Sequence, residues 1–85
     1  MTEHSEIFEQ LRNIIAEETG NDPASITPDS DLIEDLGMVI EHDLPPVVKR
    51  INIEFDVALN AKVLVLTAET VNDLLTYIIE EIELG

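Results

Sequence analysis

The chain has 85 residues, enough for one small domain, and 45% of them are hydrophobic, enough for one compact core. Four Lys and Arg stand against 19 Asp and Glu, a net charge of −15, so nucleic-acid phosphates and anionic membrane surfaces are disfavoured partners and a basic protein is favoured. There is no Cys, which excludes disulfides, thiolate metal sites and a cysteine nucleophile.

No apolar stretch approaches the length of a membrane span. The segment from Met1 to Glu6 has neither a basic region nor a long apolar run, so no signal peptide is expected. The expectation is a soluble, cytoplasmic, monomeric protein forming one domain over 1–85. A chain this short buries about 60–65% of its unfolded surface, so its stability should be modest. With Phe8, Phe55 and Tyr77 as the whole aromatic complement, the core must be built from Ile, Leu and Val.

In chain order, Ile7, Phe8, Leu11, Ile14 and Ile15 fall on one face of a helix over about 5–19, with Ser5 able to cap its start and Thr19-Gly20-Asn21 supplying its stop. The stretch from Gly20 to Gly37 contains Pro23, Pro28 and several turn formers, with Ile26, Leu32, Ile33 and Leu36 as apolar anchors. A connection this long is uncommon in a small domain unless it has a role. Leu44, Val47, Val48, Ile51 and Phe55 mark a second helix over about 44–56, with Ile53 off its apolar face. Asp43 as N-cap would put Pro45 and Pro46 in the first turn, where a missing N–H costs nothing.

The segment Ala61-Lys62-Val63-Leu64-Val65-Leu66 has strand-like β-branched content but no partner strand, so a short helix is the economical reading. Val71, Leu74, Leu75, Ile78, Ile79 and Ile82 give the cleanest amphipathic pattern, a helix over about 69–83. Thr67 or Thr70 would cap it, and Thr70 with Asp73 resembles a capping box. The expected fold is all-α: three main helices plus one short one, with a long loop between helices 1 and 2.

Certain residues invite chemistry and then decline it. His42 lacks a second His at ligand spacing and reads as a surface histidine. Asp29, Asp31, Glu34 and Asp35 resemble calcium ligands, but the Gly and terminal Glu spacing of an EF-hand is absent. No metal site is expected. Nothing resembles a catalytic triad, P-loop or dinucleotide motif, and no nucleophile–base pair is apparent, so no enzyme is expected.

The ordered pattern resembles the acyl carrier protein family along nearly the whole chain. The stretch from Ile7 to Gly20 is similar to the family's first helix. Ile26-Thr27 and Asp31-Leu32-Ile33-Glu34-Asp35-Leu36-Gly37 are similar to its long loop, with the family's Glu-Asp-Leu-Gly signature intact at Glu34, Asp35, Leu36 and Gly37. Ile53-Glu54-Phe55-Asp56-Val57 resembles the end of its second helix, and Thr70-Val71 with Leu74, Tyr77 and Ile78 its last.

In that family an Asp-Ser-Leu follows the glycine, and the serine carries phosphopantetheine as a phosphodiester. Here the segment reads Ile40-Glu41-His42-Asp43-Leu44. Aligning Asp43-Leu44 with the family's later Asp and its apolar neighbour places Glu41 at the serine position, with one extra residue after Gly37 and a second small insertion near Leu66. A carboxylate attacking phosphorus would give a hydrolysable acyl phosphate anhydride, so Glu41 cannot hold the arm and no cofactor is expected. Phosphopantetheine returns only if another hydroxyl is the true attachment site, of which Ser30, in a loop before a helix, is the best placed.

The resemblance implies a carrier-like module of fatty-acid, lipid or polyketide-type metabolism that docks on basic patches of acyl-transfer or condensing enzymes. Glu34, Asp35, Glu41, Asp43 and Glu54 are the docking candidates, interrupted by Lys49 and Arg50; a merely solvated helix face is the plainer alternative. Glu41 would either help charge a helix start or imitate the phosphate of a modified serine. A true carrier with a displaced attachment site, and an acidic binding module unrelated to acyl transfer, remain open.

Overall fold

The computed structural model describes residues 4–84. Four α-helices run in order: α1 (His4–Thr19), α2 (Ile40–Phe55), α3 (Ala61–Thr67) and α4 (Val71–Leu84), with a single 3-10 turn, Pro23–Ser25, in the first connection. This is the all-α bundle of three main helices and one short one. The Cα radius of gyration, 11.6 Å, matches the ~12 Å of a compact chain of this length. No helix among the described residues is long and apolar enough to cross a membrane. The segment read as lacking a leader begins at residues 1–3, which lie outside those described.

The helical stripes meet in one core. Ile7, Leu11, Ile14 and Ile15 of α1 join Leu44, Val47, Val48 and Ile51 of α2, Leu64 of α3, and Val71, Leu74, Leu75 and Ile78 of α4. Each fully buried Ile, Leu or Val contributes roughly 1.5–3 kcal/mol of transfer free energy, so these stripes are the main favourable contribution to folding. α2 packs on both α1 and α3, and α1 packs on α4. Phe8 is half-buried, with the Arg12 guanidinium 5.7 Å over its ring.

α1 stops as expected: Gly20 adopts φ +77°, and its N–H donates to the Ala16 carbonyl at 2.9 Å. Ser5 lies inside the helix, which is already formed at His4. The long connection is pinned by Ile26, Leu32, Leu36 and Met38, all buried. Ile33, expected among the anchors, is instead 58% exposed, because the tight turn over 31–37 rotates it away from the core; Met38 is buried in the same segment. Asn21 ties the two ends of this connection together, its amide donating to the Leu36 carbonyl at 2.9 Å.

The middle of the connection is stitched to the start of α4. Leu32 N–H donates to the Glu69 carbonyl at 2.9 Å, and Val71 N–H to the Ser30 carbonyl at 3.0 Å, an isolated antiparallel bridge between Asp31 and Thr70. α4 begins at Val71, two residues later than expected, on the capping box read from Thr70 and Asp73. Asp73 Oδ2 accepts from the N–H groups of Glu69 (2.8 Å) and Thr70 (3.0 Å), and Thr70 Oγ1 accepts from Asp73 N–H at 3.3 Å. Thr67 closes α3 instead of capping α4.

α2 departs furthest from expectation. It begins at Ile40, not Leu44, and Val39 is its N-cap, with no side-chain cap bond. Asp43 is therefore not the N-cap. It sits at the end of the first turn and reaches back, accepting the Val39 N–H on Oδ2 at 2.7 Å. Pro45 and Pro46 then lie in the second turn, where the carbonyls of Glu41 and His42 would receive N–H donors that proline lacks.

Candidate functional site at the start of α2

The approach to α2 is a tight turn built from the acidic signature itself. Asp31 Oδ1 accepts the N–H groups of Ile33 and Glu34, both at 2.9 Å, and Asp35 Oδ2 accepts the Asp31 N–H at 2.7 Å. Leu36 is buried, and Gly37 takes φ +69°, donating to the Ile33 carbonyl at 3.0 Å. A left-handed φ disfavours any residue with a Cβ, which explains the glycine. The Glu34-Asp35-Leu36-Gly37 run is thus a turn that delivers the chain to α2, and Glu34 is its one acid whose side chain makes no internal hydrogen bond among the described residues.

Glu41 follows in the first turn of α2, exposed, with no hydrogen bond or ion pair to its carboxylate among the described residues. The capping work is done by Asp43. Glu41 lies in a helix first turn, which favours negative charge. Beside it runs a groove of about 550 Å³ lined by Glu41, Pro45, Ala61, Lys62, Val65 and Leu66, between α2 and the short α3. A second hollow, of about 240 Å³, places Asp31, Ile33 and Glu34 against Ala68 and Glu69 just past the end of α3. Of the exposed apolar residues, Ile33 lines the smaller hollow and Leu66, 86% exposed, the larger, while Val39 lies two residues before Glu41.

The five candidate docking acids do not share one face. At about 100° per residue, Glu54 lies about 140° around α2 from Glu41. Glu41 flanks α3, whereas Asp43 and Glu54 lie on the flank of Arg50, whose guanidinium bonds Glu17 of α1 at 3.2 Å. The most outward ridge of α2 carries His42, Pro46, Lys49 and Ile53, with no acid. Glu34 and Glu41 remain as free acids beside the α3 end. Asp35 and Asp43 each spend one carboxylate oxygen on a backbone N–H.

The hydroxyls of the loop and of the end of α3 have structural partners. Ser30, the alternative attachment residue, is buried, and its Oγ accepts the Thr27 N–H at 2.9 Å. Ser25 Oγ donates to the Asp22 carbonyl at 2.7 Å, and Thr67 Oγ1 to the Val63 carbonyl at 2.9 Å. Among the described residues no three His, Asp or Glu converge as a metal site.

The structure adds Asn52 to the site and sets the direction of Leu66. Asn52 clamps the connection between α2 and α3, its amide donating to the Leu59 carbonyl at 3.1 Å while its Oδ1 accepts the Leu59 N–H at 2.9 Å. This holds α3 against α2 and so shapes the groove. Leu66 belongs to an apolar run, and its position on a two-turn helix turns it to solvent. No protein-family model matches the chain.

Proposed function

We propose that this chain is an acyl-carrier-type interaction module that carries no phosphopantetheine arm. It works as a cytoplasmic monomer, not by catalysis but by docking the start of α2 and the end of α3 onto basic patches of acyl-transfer or condensing enzymes in fatty-acid, lipid or polyketide-type metabolism. The observation that carries this reading is Glu41: a carboxylate, free of structural duty, in the helix turn where the resemblance calls for a hydroxyl.

Three further points support it. Attachment of phosphorus to the Glu41 carboxylate would give a hydrolysable acyl phosphate anhydride. The best alternative hydroxyl, Ser30, is buried and bonded. The exposed Leu66 and Val39 beside free Glu34 and Glu41 combine an apolar anchor with a charge that steers basic partners. Glu41 and Glu34 are the acids that would meet such a partner, and Asp35, Asp43 and Glu54 contribute to the wider field only.

The test is direct binding to purified acyl-transfer and condensing enzymes of the source cell. At least one should bind saturably, with Glu41→Gln and Leu66→Ser each weakening it several-fold and added salt slowing association. Failure of every such enzyme to bind, or affinity indifferent to both substitutions, would overturn the proposal.

A further inference from the structure

A second groove lies at the far end of the molecule, where α2 and α4 finish. Two adjoining hollows, of about 290 and 270 Å³, share Ala58, Glu81 and Leu84. Together they form a trough between the 56–60 connection, the first turn of α3 and the last two turns of α4. Its floor is apolar: Leu59, Val63, Leu64, Tyr77 and Leu84. Val63 is 47% exposed and Leu84 83% exposed. Its rim is acidic, with Asp56, Glu80 and Glu81, and neither Lys nor Arg lines it.

The charge here runs against local stability. α2 and α4 both end at this trough with no basic residue in the last turn, as do α1 and α3 elsewhere, so no cation of these helix ends offsets the acids of the rim. Glu83 has a neighbour in His4, 3.8 Å away, while Glu80 and Glu81 have no ion pair among the described residues. What sets this end apart is the combination of an exposed apolar floor with an acidic rim that has no ion pair of its own among the described residues.

We propose that this trough is a second docking surface, which takes a basic amphipathic segment of a partner protein. Apolar side chains of the segment would seat on Leu59, Val63, Tyr77 and Leu84, and its Lys or Arg residues would lie against Asp56, Glu80 and Glu81. Charge selects this occupant. A second copy of the chain would bring another −15 to the same rim, and an anionic lipid surface would be repelled in the same way. The surface is separate from the start of α2 and stands or falls without it.

The test is a ¹⁵N spectrum of the full chain titrated with a short synthetic Lys/Leu amphipathic helix at physiological salt, and with an equally charged peptide in which Ser replaces Leu. The expected result is saturable shifts at Ala58, Asn60, Val63, Tyr77 and Leu84 with the first peptide and at most weak, unsaturated shifts with the second. Leu84→Ser, and Glu80→Gln with Glu81→Gln, should each weaken binding roughly tenfold, while Leu66→Ser leaves it unchanged. All these residues are exposed or half-buried, so the variants should fold. Shifts centred on Glu41 and Leu66, equal binding of both peptides, no binding, or self-association of the chain through Leu84 would each overturn the proposal.

Discussion

The starts of α2 and α4 solve the same problem in different ways. Both helices follow an irregular segment, and both use an Asp that accepts the N–H of the residue four positions earlier: Val39 to Asp43 at 2.7 Å, and Glu69 to Asp73 at 2.8 Å. α4 adds a second bond to Asp73, from Thr70 N–H, a reciprocal one from Asp73 N–H to Thr70 Oγ1, and a backbone bridge to the loop. α2 adds none of these, and places Pro45 and Pro46 where they remove two helical bonds. α4 is anchored at its start; α2 is left lightly capped, with an unpaired carboxylate and exposed apolar neighbours. The contrast within one small bundle is one of anchoring: the start of α2 is held by fewer bonds than the start of α4.

Four substitutions test that contrast. Asp73→Ala should cost about 2 kcal/mol, because it leaves two backbone N–H groups without their carboxylate partner. Asp43→Ala removes one such bond and should cost about 1 kcal/mol. Denaturant midpoints at unchanged m-value would read both. Equal losses would mean that the two starts are equally anchored. Pro45→Ala restores a donor to the Glu41 carbonyl and should stabilise the chain by about 1 kcal/mol, after the added freedom of the unfolded chain is set against it. A loss instead would show that the prolines hold the turn. Smallest of all, Glu41→Gln should move stability by less than about 0.5 kcal/mol, the range of a charge at a helix end, while weakening partner binding. A larger loss of stability would return Glu41 to a structural role.

Much of this was legible in the chain. The stripes of α1, α2 and α4 follow the helical period, and each reads directly as a buried face. Thr70 with Asp73 reads as a cap because the spacing is local. The true start of α2 was hidden because paired prolines normally announce a first turn. Here Asp43 reaches back to Val39, and the helix gains a turn before them. Ile33 misled for a related reason: apolar character marks it as an anchor, but the Asp31 turn decides which way it faces. The same Asp device occurs there, Asp31 N–H to Asp35, so three local i to i+4 signals were present in the sequence. The grooves were not legible at all. They join segments far apart in the chain, and Asn52, which shapes one of them, touches Leu59 across a loop.

The acidity was legible in sum but not in arrangement. The excess of carboxylates is read directly from the chain, yet only helix phase shows that Glu41 and Glu54 look in different directions. Glu80 and Glu81, absent from the docking set, line an apolar trough of their own.

The central claim is that position 41 has the setting of an attachment site without its hydroxyl. Mass spectrometry tests it after incubation with coenzyme A and a broad-specificity phosphopantetheinyl transferase, on the native chain and on the double variant Ile40→Asp, Glu41→Ser in parallel. The expected result is an unchanged mass for the native chain and one added pantetheine arm, at position 41, for the variant. An arm on the native chain, or none on the variant, would contradict it.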